Sequence, residues 1–157
     1  MQAKGGNISN RKMFDKPTTR SNQAPNNGLP DRYLVGGYFE DGTTTVKREY
    51  ILQFARELAT KLSSDRQAIK KTQLRKFYDK VKAARDDHER NFIELSDALI
   101  SICELSPLAN QAVTRGNAPK LFSEFIDKNV LYVKDYESLK AFEQHFRAIV
   151  CYYPEKK

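Results

Sequence analysis

From Thr45 onward the large apolar residues recur every three or four positions, and no stretch keeps the two-residue alternation of a half-buried strand. Such a chain buries its apolar surface along helical stripes, so the expected fold class is all-α. A Thr43-Thr44-Thr45 cap region precedes Tyr50, Ile51, Phe54, Leu58 and Leu62, which mark a first helix. The second opens at Thr72 as N-cap and sets Leu74, Phe77, Tyr78 and Val81 on one narrow stripe. A third is expected from about His88 to Glu104, with Phe92, Leu95, Leu99 and Ile102 on its face. Ser106-Pro107 supplies a stop and restart, and Gly116-Asn117 ends the short helix that follows. Leu121, Phe122, Phe125 and Ile126 define a fourth main helix, and Asp135 caps a fifth that carries Leu139, Phe142, Phe146, Ile149, Val150 and Tyr153. The expectation is a compact bundle of about five helices, with short connections making neighbours antiparallel.

Residues 1–44 carry six of the seven glycines and three of the six prolines and show no amphipathic period. The expected division is a flexible Gly/Asn/Pro-rich extension over 1–44 and a helical domain over 45–157. One apolar island, Tyr33-Leu34-Val35-Gly36-Gly37-Tyr38-Phe39, interrupts the extension. It reads as a loosely packed tail segment or, alternatively, as a short strand or set of aromatic anchors that docks on a neighbour. The longest uninterrupted apolar run, Ala148 to Tyr153, is too short for a bilayer, and the N-terminus lacks the apolar centre of a signal peptide. A cytoplasmic chain without a membrane span is expected. Cys103 and Cys151 sit within apolar helical patterns and are read as reduced, core-packing thiols.

Charge is unevenly placed. Between Arg66 and Arg85, eight of nine charged residues are basic, opposed only by Asp79, so this stretch alone holds +7, equal to the net charge of the whole chain. A local field of that sign is an electrostatic footprint for a polyanion, because phosphates release counterions onto fixed cations. The alternative is a solvated helix face. If Leu74, Phe77, Tyr78 and Val81 face a core, Arg75, Lys76, Lys80 and Lys82 point away from it, with Lys70, Lys71 and Arg85 extending the row. Phe77 and Tyr78 are read as core residues rather than base-stacking groups, since they share the stripe.

Catalysis finds little support. His88 lacks a second histidine four positions on, His145 between Phe142 and Phe146 reads as a packed imidazole, and neither GxxxxGK[ST] nor GxGxxG occurs. No metal or cofactor is implied.

Three segments carry a family likeness. Leu74-Arg75-Lys76-Phe77-Tyr78-Asp79-Lys80-Val81, then Pro107-Leu108-Ala109 leading to Arg115, then Phe142 through Tyr153, together resemble the small helical subunit of type III-A CRISPR effectors, the Csm complex. The likeness covers about 48 to 153. Asn110 and Gln111 stand where a more apolar or aromatic pair is expected of that family, and Arg147 where it commonly has an acid. The resemblance implies a non-catalytic RNA-binding subunit for antiviral defence, present in several copies along guide RNA and its paired target RNA. Its partners would be further copies of itself, a backbone nuclease subunit and a large polymerase-like subunit. Candidate phosphate contacts are Lys71, Arg75, Lys76, Lys80, Lys82, Arg115 and Lys120, with an intramolecular helix-capping role as the alternative for Arg115. Against this stand two other readings. One is a helical protein–protein adaptor or homodimer with a basic docking face; the other is a small hydrolase or nuclease, for which the sequence offers no ligand set.

Overall fold

The computed structural model describes residues 27–155 and is helical, as expected. Seven helical segments follow in order: α1 (Arg48–Ile51), α2 (Gln53–Ser64), α3 (Lys71–Glu89), α4 (Leu95–Cys103), α5 (Leu105–Thr114), α6 (Lys120–Tyr132) and α7 (Tyr136–Tyr152). The long helices α3 and α7 lie against each other at the centre; α1 and α2 flank α7, while α4 flanks α3 and leads through α5 to α6. Among the described residues the sole β feature is an isolated antiparallel bridge between Phe39 and Val46.

Helix boundaries differ from the periodicity in three places, each for a local reason. The Thr43–Thr45 region does not cap the first helix. Thr43 Oγ1 donates to the Glu40 carbonyl and accepts from the Thr45 N–H, closing the tight loop that the Phe39–Val46 bridge spans. A short hydroxyl side chain satisfied inside a turn is lost to the helix as a cap. Lys47 takes the N-cap position without a side-chain bond, and the helix kinks at Leu52 before continuing as α2. Second, α3 begins at Lys71 with Lys70 in extended conformation, so Thr72 lies within the first turn rather than at the cap.

Third, the helix expected from His88 to Glu104 is two elements. α3 runs on to Glu89 and is closed by Asn91 in the left-handed region (φ 63°), with Phe92 N–H donating to the Asp87 carbonyl at 2.8 Å. His88 is therefore in the last turn of α3, half-buried against Tyr136, not in a first turn. Phe92 is 71% exposed and belongs to no core face. Glu94 and Asp97 then form a capping box that starts α4. Pro107 does sit in the first turn of α5, and Asp135 does cap α7, accepting from the Ser138 N–H at 2.8 Å. That bond holds the Asp135 carboxyl below its usual range.

Within residues 27–46 the apolar island is anchored, not loose, although Val35 and residues 40–45 are exposed. Tyr33, Leu34 and Tyr38 are buried in the same core as Phe122, Phe125, Phe142 and Phe146. The island acts as aromatic anchors rather than a strand, and the packed body extends upstream of residue 44 to include it. The rest of the expected extension, 1–26, lies outside the described residues. A fully buried polar chain fixes the anchors. His145 Nδ1 lies 2.6 Å from the Tyr50 carbonyl and must donate, so Nε2 accepts from Tyr33 Oη at 2.6 Å. Asn129 donates to Tyr33 Oη and to the Phe125 carbonyl, and accepts from Tyr38 Oη. Every member has a partner, which is what makes burying such groups tolerable. His145 is thus a packed imidazole, as expected. Cys103 and Cys151 are the reverse of their expectation: both are exposed, because each falls on the solvent side of its helix.

A candidate nucleic-acid interface

α3 divides its residues as the stripe requires. Leu74, Phe77, Tyr78, Val81 and Ala84 are buried, and Arg75, Lys76, Lys80 and Lys82 are exposed. Phe77 packs edge-on to Phe122 with ring centroids 4.8 Å apart, and Tyr78 packs on Phe146, so both are core residues. The Tyr78 hydroxyl donates to Glu143, a carboxylate with 0% exposure that also receives Arg85 and both arms of Arg147. Burial pushes the Tyr78 hydroxyl up to about 12, so it keeps its proton and remains a donor. Arg147, standing where an acid was the family expectation, is the i+4 partner of that carboxylate.

The loop before α3 is held by Ile69, whose side chain is 1% exposed and whose carbonyl accepts from Tyr153 Oη at 2.5 Å. At the end of α5, Gly116 adopts φ +76°, and the N–H groups of Gly116 and Asn117 close the helix on Val113 and Ala112. A Cβ on Gly116 would stand 3.4 Å from Gln67 Nε2, so the loop and the α5 terminus approach closely. Between them lies an open cleft of about 620 Å³. Five cations line it, namely Arg66, Lys70, Lys76, Lys80 and Arg115, and no acid does. The amides of Gln67, Gln73, Gln111 and Asn117 add neutral hydrogen-bonding groups, with Phe77 and Leu108 as apolar surface. The N-terminus of α3 opens on the same side with no acid in its first turn, so its dipole adds to the positive field.

The fold sorts the candidate contacts. Lys76, Lys80 and Arg115 meet in the cleft; the backbone of Arg115 closes α5 while its side chain stays exposed. Arg75 is exposed on the neighbouring face of α3. Lys71 is committed to the C-terminus, donating to the Tyr153 carbonyl at 2.9 Å and to Glu155 at 3.0 Å. Lys82 is paired with Asp86 at 2.9 Å, which lowers the Asp86 pKa. Lys120 is well exposed at the start of α6 and faces Glu124 at 4.0 Å, outside the cleft. Arg85 does not extend the outward row, because it turns inward to Glu143. Arg66 and Lys70 join the cleft although neither was among the candidate phosphate contacts; their signal was the charge run that begins at Arg66 and the row that Lys70 extends. Gln111 and Asn117 had none, since an uncharged amide in a short helix or turn carries no pattern.

The profile of the family described as Csm2 Type III-A matches residues 46–156. The chain belongs to the Csm2 family. It is a small subunit of a type III-A CRISPR effector, and its companions are the other subunits of a Csm complex. No curated protein and no solved structure matches it. The match begins at the bridge residue Val46, so the anchors Tyr33, Leu34 and Tyr38 precede the part shared with the Csm2 family. Among the described residues, no group of three or more His, Cys, Asp or Glu side chains could hold a metal ion, and no helix is long and apolar enough to cross a membrane.

Proposed function

We propose that this chain is a non-catalytic RNA-binding building block of its effector, repeated along guide RNA and the paired target RNA for antiviral defence in the cytoplasm. The observation that carries the reading is the cleft between α3 and α5, where five cations converge without an acid. Phosphate is the ligand such a lining favours, and the amides beside the cations suit ribose hydroxyls. A subunit that serves any guide sequence must read backbone rather than base edges, which A-form RNA hides in a deep, narrow groove. A few phosphate contacts give only roughly 10⁻⁴ to 10⁻⁶ M affinity at physiological salt, so one copy is a weak binder. Repetition along one strand, beside the backbone nuclease subunit and the large polymerase-like subunit, makes weak contacts sufficient.

The test is the salt dependence of RNA binding. Replacing Lys76, Lys80 and Arg115 by alanine removes three cations at exposed positions, so the fold is retained. The slope of log affinity against log salt should shrink by about 2, at roughly 0.7 per contact on a single strand. Equal slopes for the variant and the natural chain would exclude the cleft as the RNA site.

A further inference from the structure

The point at which residues 1–26 join the packed body is fixed and lies beside the cationic cleft. The Gly28 carbonyl accepts from Lys61 Nζ at 2.8 Å, and Leu29 packs against the core. Asn27 shares a polar hollow of about 270 Å³ with Lys61, Ser64, Asp65, Arg66 and Leu121. Arg66 lines both this hollow and the cleft, and so connects the two. Its neighbours in the hollow are engaged: Lys61 also pairs with Glu57 at 2.8 Å, and Asp65 accepts from the Gln67 N–H at 2.8 Å. Arg66 is exposed and has no ion-pair partner among the described residues.

Upstream of this junction the sequence is itself cationic. Residues 1–26 hold Lys4, Arg11, Lys12, Lys16 and Arg20 against Asp15 alone, which is +4 of the chain's net +7. The segment precedes the part shared with the Csm2 family, so the family match assigns it no role. We propose that residues 1–26 are a second RNA-contacting element, an arm whose cations continue the phosphate track of the cleft past Arg66 on the same strand. The inference rests on the RNA-binding reading above and adds to it a contact outside the family fold.

Electrostatics selects the ligand. The arm joins the body beside five cations with no acid among them, so arm and cleft cannot neutralise each other. Charges are felt over about 8 Å at physiological salt, and cations gathered near Arg66 repel until a polyanion lies between them. A run of phosphates is the ligand that both sides favour, each contact releasing counterions. The arm's cations are spread from Lys4 to Arg20, an arrangement that suits successive phosphates better than a single anion. Fully extended, 26 residues reach at most about 90 Å, so the arm can follow a strand well beyond the cleft. Once the cleft holds that strand, binding by the arm is intramolecular and its weak contacts add.

The test uses the full chain and a single-stranded oligouridylate. Replacing Lys4, Arg11, Lys12, Lys16 and Arg20 by glutamine removes the arm's cations and alters no residue of the packed core. The slope of log affinity against log salt should shrink by at least about 2, as the loss of three or more contacts at roughly 0.7 each requires. In the natural chain, acetylation of Lys4, Lys12 and Lys16, read by mass spectrometry, should slow when the oligouridylate is added. Replacing Lys76, Lys80 and Arg115 by alanine should remove most of that protection, because arm and cleft hold one strand. An unchanged slope in the arm variant, beside a reduced slope in the cleft variant, overturns the arm and leaves the RNA reading standing. A reduced slope in the arm variant alone removes the cleft as the RNA site and overturns the shared track with it. Acetylation that is equally slow without RNA shows the arm engaged with protein and overturns the proposal.

Discussion

Both ring nitrogens of His145 are committed, one as donor to Tyr50 and one as acceptor from Tyr33, in a site with no solvent exposure. A second proton would meet a Tyr33 oxygen that already accepts from Asn129. Burial accordingly pushes the imidazole from its ordinary 6.5 down to about 4. The unfolded chain takes up a proton near pH 6.5 and the folded chain does not until near pH 4, so the unfolded state binds more protons in that window. Stability is therefore lost as pH falls from 6.5 towards 4, at up to about 1.4 kcal/mol per pH unit and roughly 3 kcal/mol in all. Asp86 and Asp135, whose pKa values lie below 3.8 in the fold, add their losses mainly at lower pH. Urea unfolding at steps from pH 7 to 4.5 should show the decline. His145→Gln, less stable at neutral pH, should show a much flatter profile; a natural chain with constant stability over that range would mean that His145 is not held neutral.

The segment before α1 shows what an element without periodicity contributes. Tyr33, Leu34 and Tyr38 each bury a large side chain, worth about 1.5–3 kcal/mol apiece, and the two tyrosines complete the bonding of His145 and Asn129. A chain begun at residue 46, where the family match starts, would lose these anchors and leave buried polar groups short of partners. The sum is comparable to the total stability of a typical domain. Circular dichroism melting of chains begun at 27 and at 46 should give a cooperative transition only for the first; coincident melts would show the anchors to be ornamental. Sequence reading found the helices because α2, α3, α6 and α7 bury one face each, and burial on one face writes a period into the residues. It could not settle the anchors, since three aromatic or aliphatic side chains spaced by turns write none. Nor could it place the breaks at Thr43–Thr45 and Asn91, where side-chain hydrogen bonds and a left-handed residue outweigh propensity.

Over the whole molecule, the basic run is sorted by what each helix face meets. In sequence, Lys71, Lys76, Lys80, Lys82 and Arg85 form one row; in the fold, Arg85 neutralises a buried carboxylate, Lys82 an adjacent aspartate, and Lys71 ties the C-terminus to the start of α3. What remains free joins Arg66 and Lys70 from the loop and Arg115 from α5, across nearly fifty positions of sequence. Linear charge counting can locate that field but cannot separate cations engaged internally from those available to phosphate. The separation is measurable. Lys71 is half-buried and bonded to the Tyr153 carbonyl, so Lys71→Ala should lower stability by about 1 kcal/mol and leave the salt slope of RNA binding almost unchanged. Lys76→Ala should do the opposite, because its side chain is exposed and has no ion-pair partner among the described residues. Urea titration and salt-dependent RNA binding of the two variants in parallel decide the matter: if Lys71→Ala flattens the slope as much as Lys76→Ala, the whole row binds RNA and the cleft has no special standing.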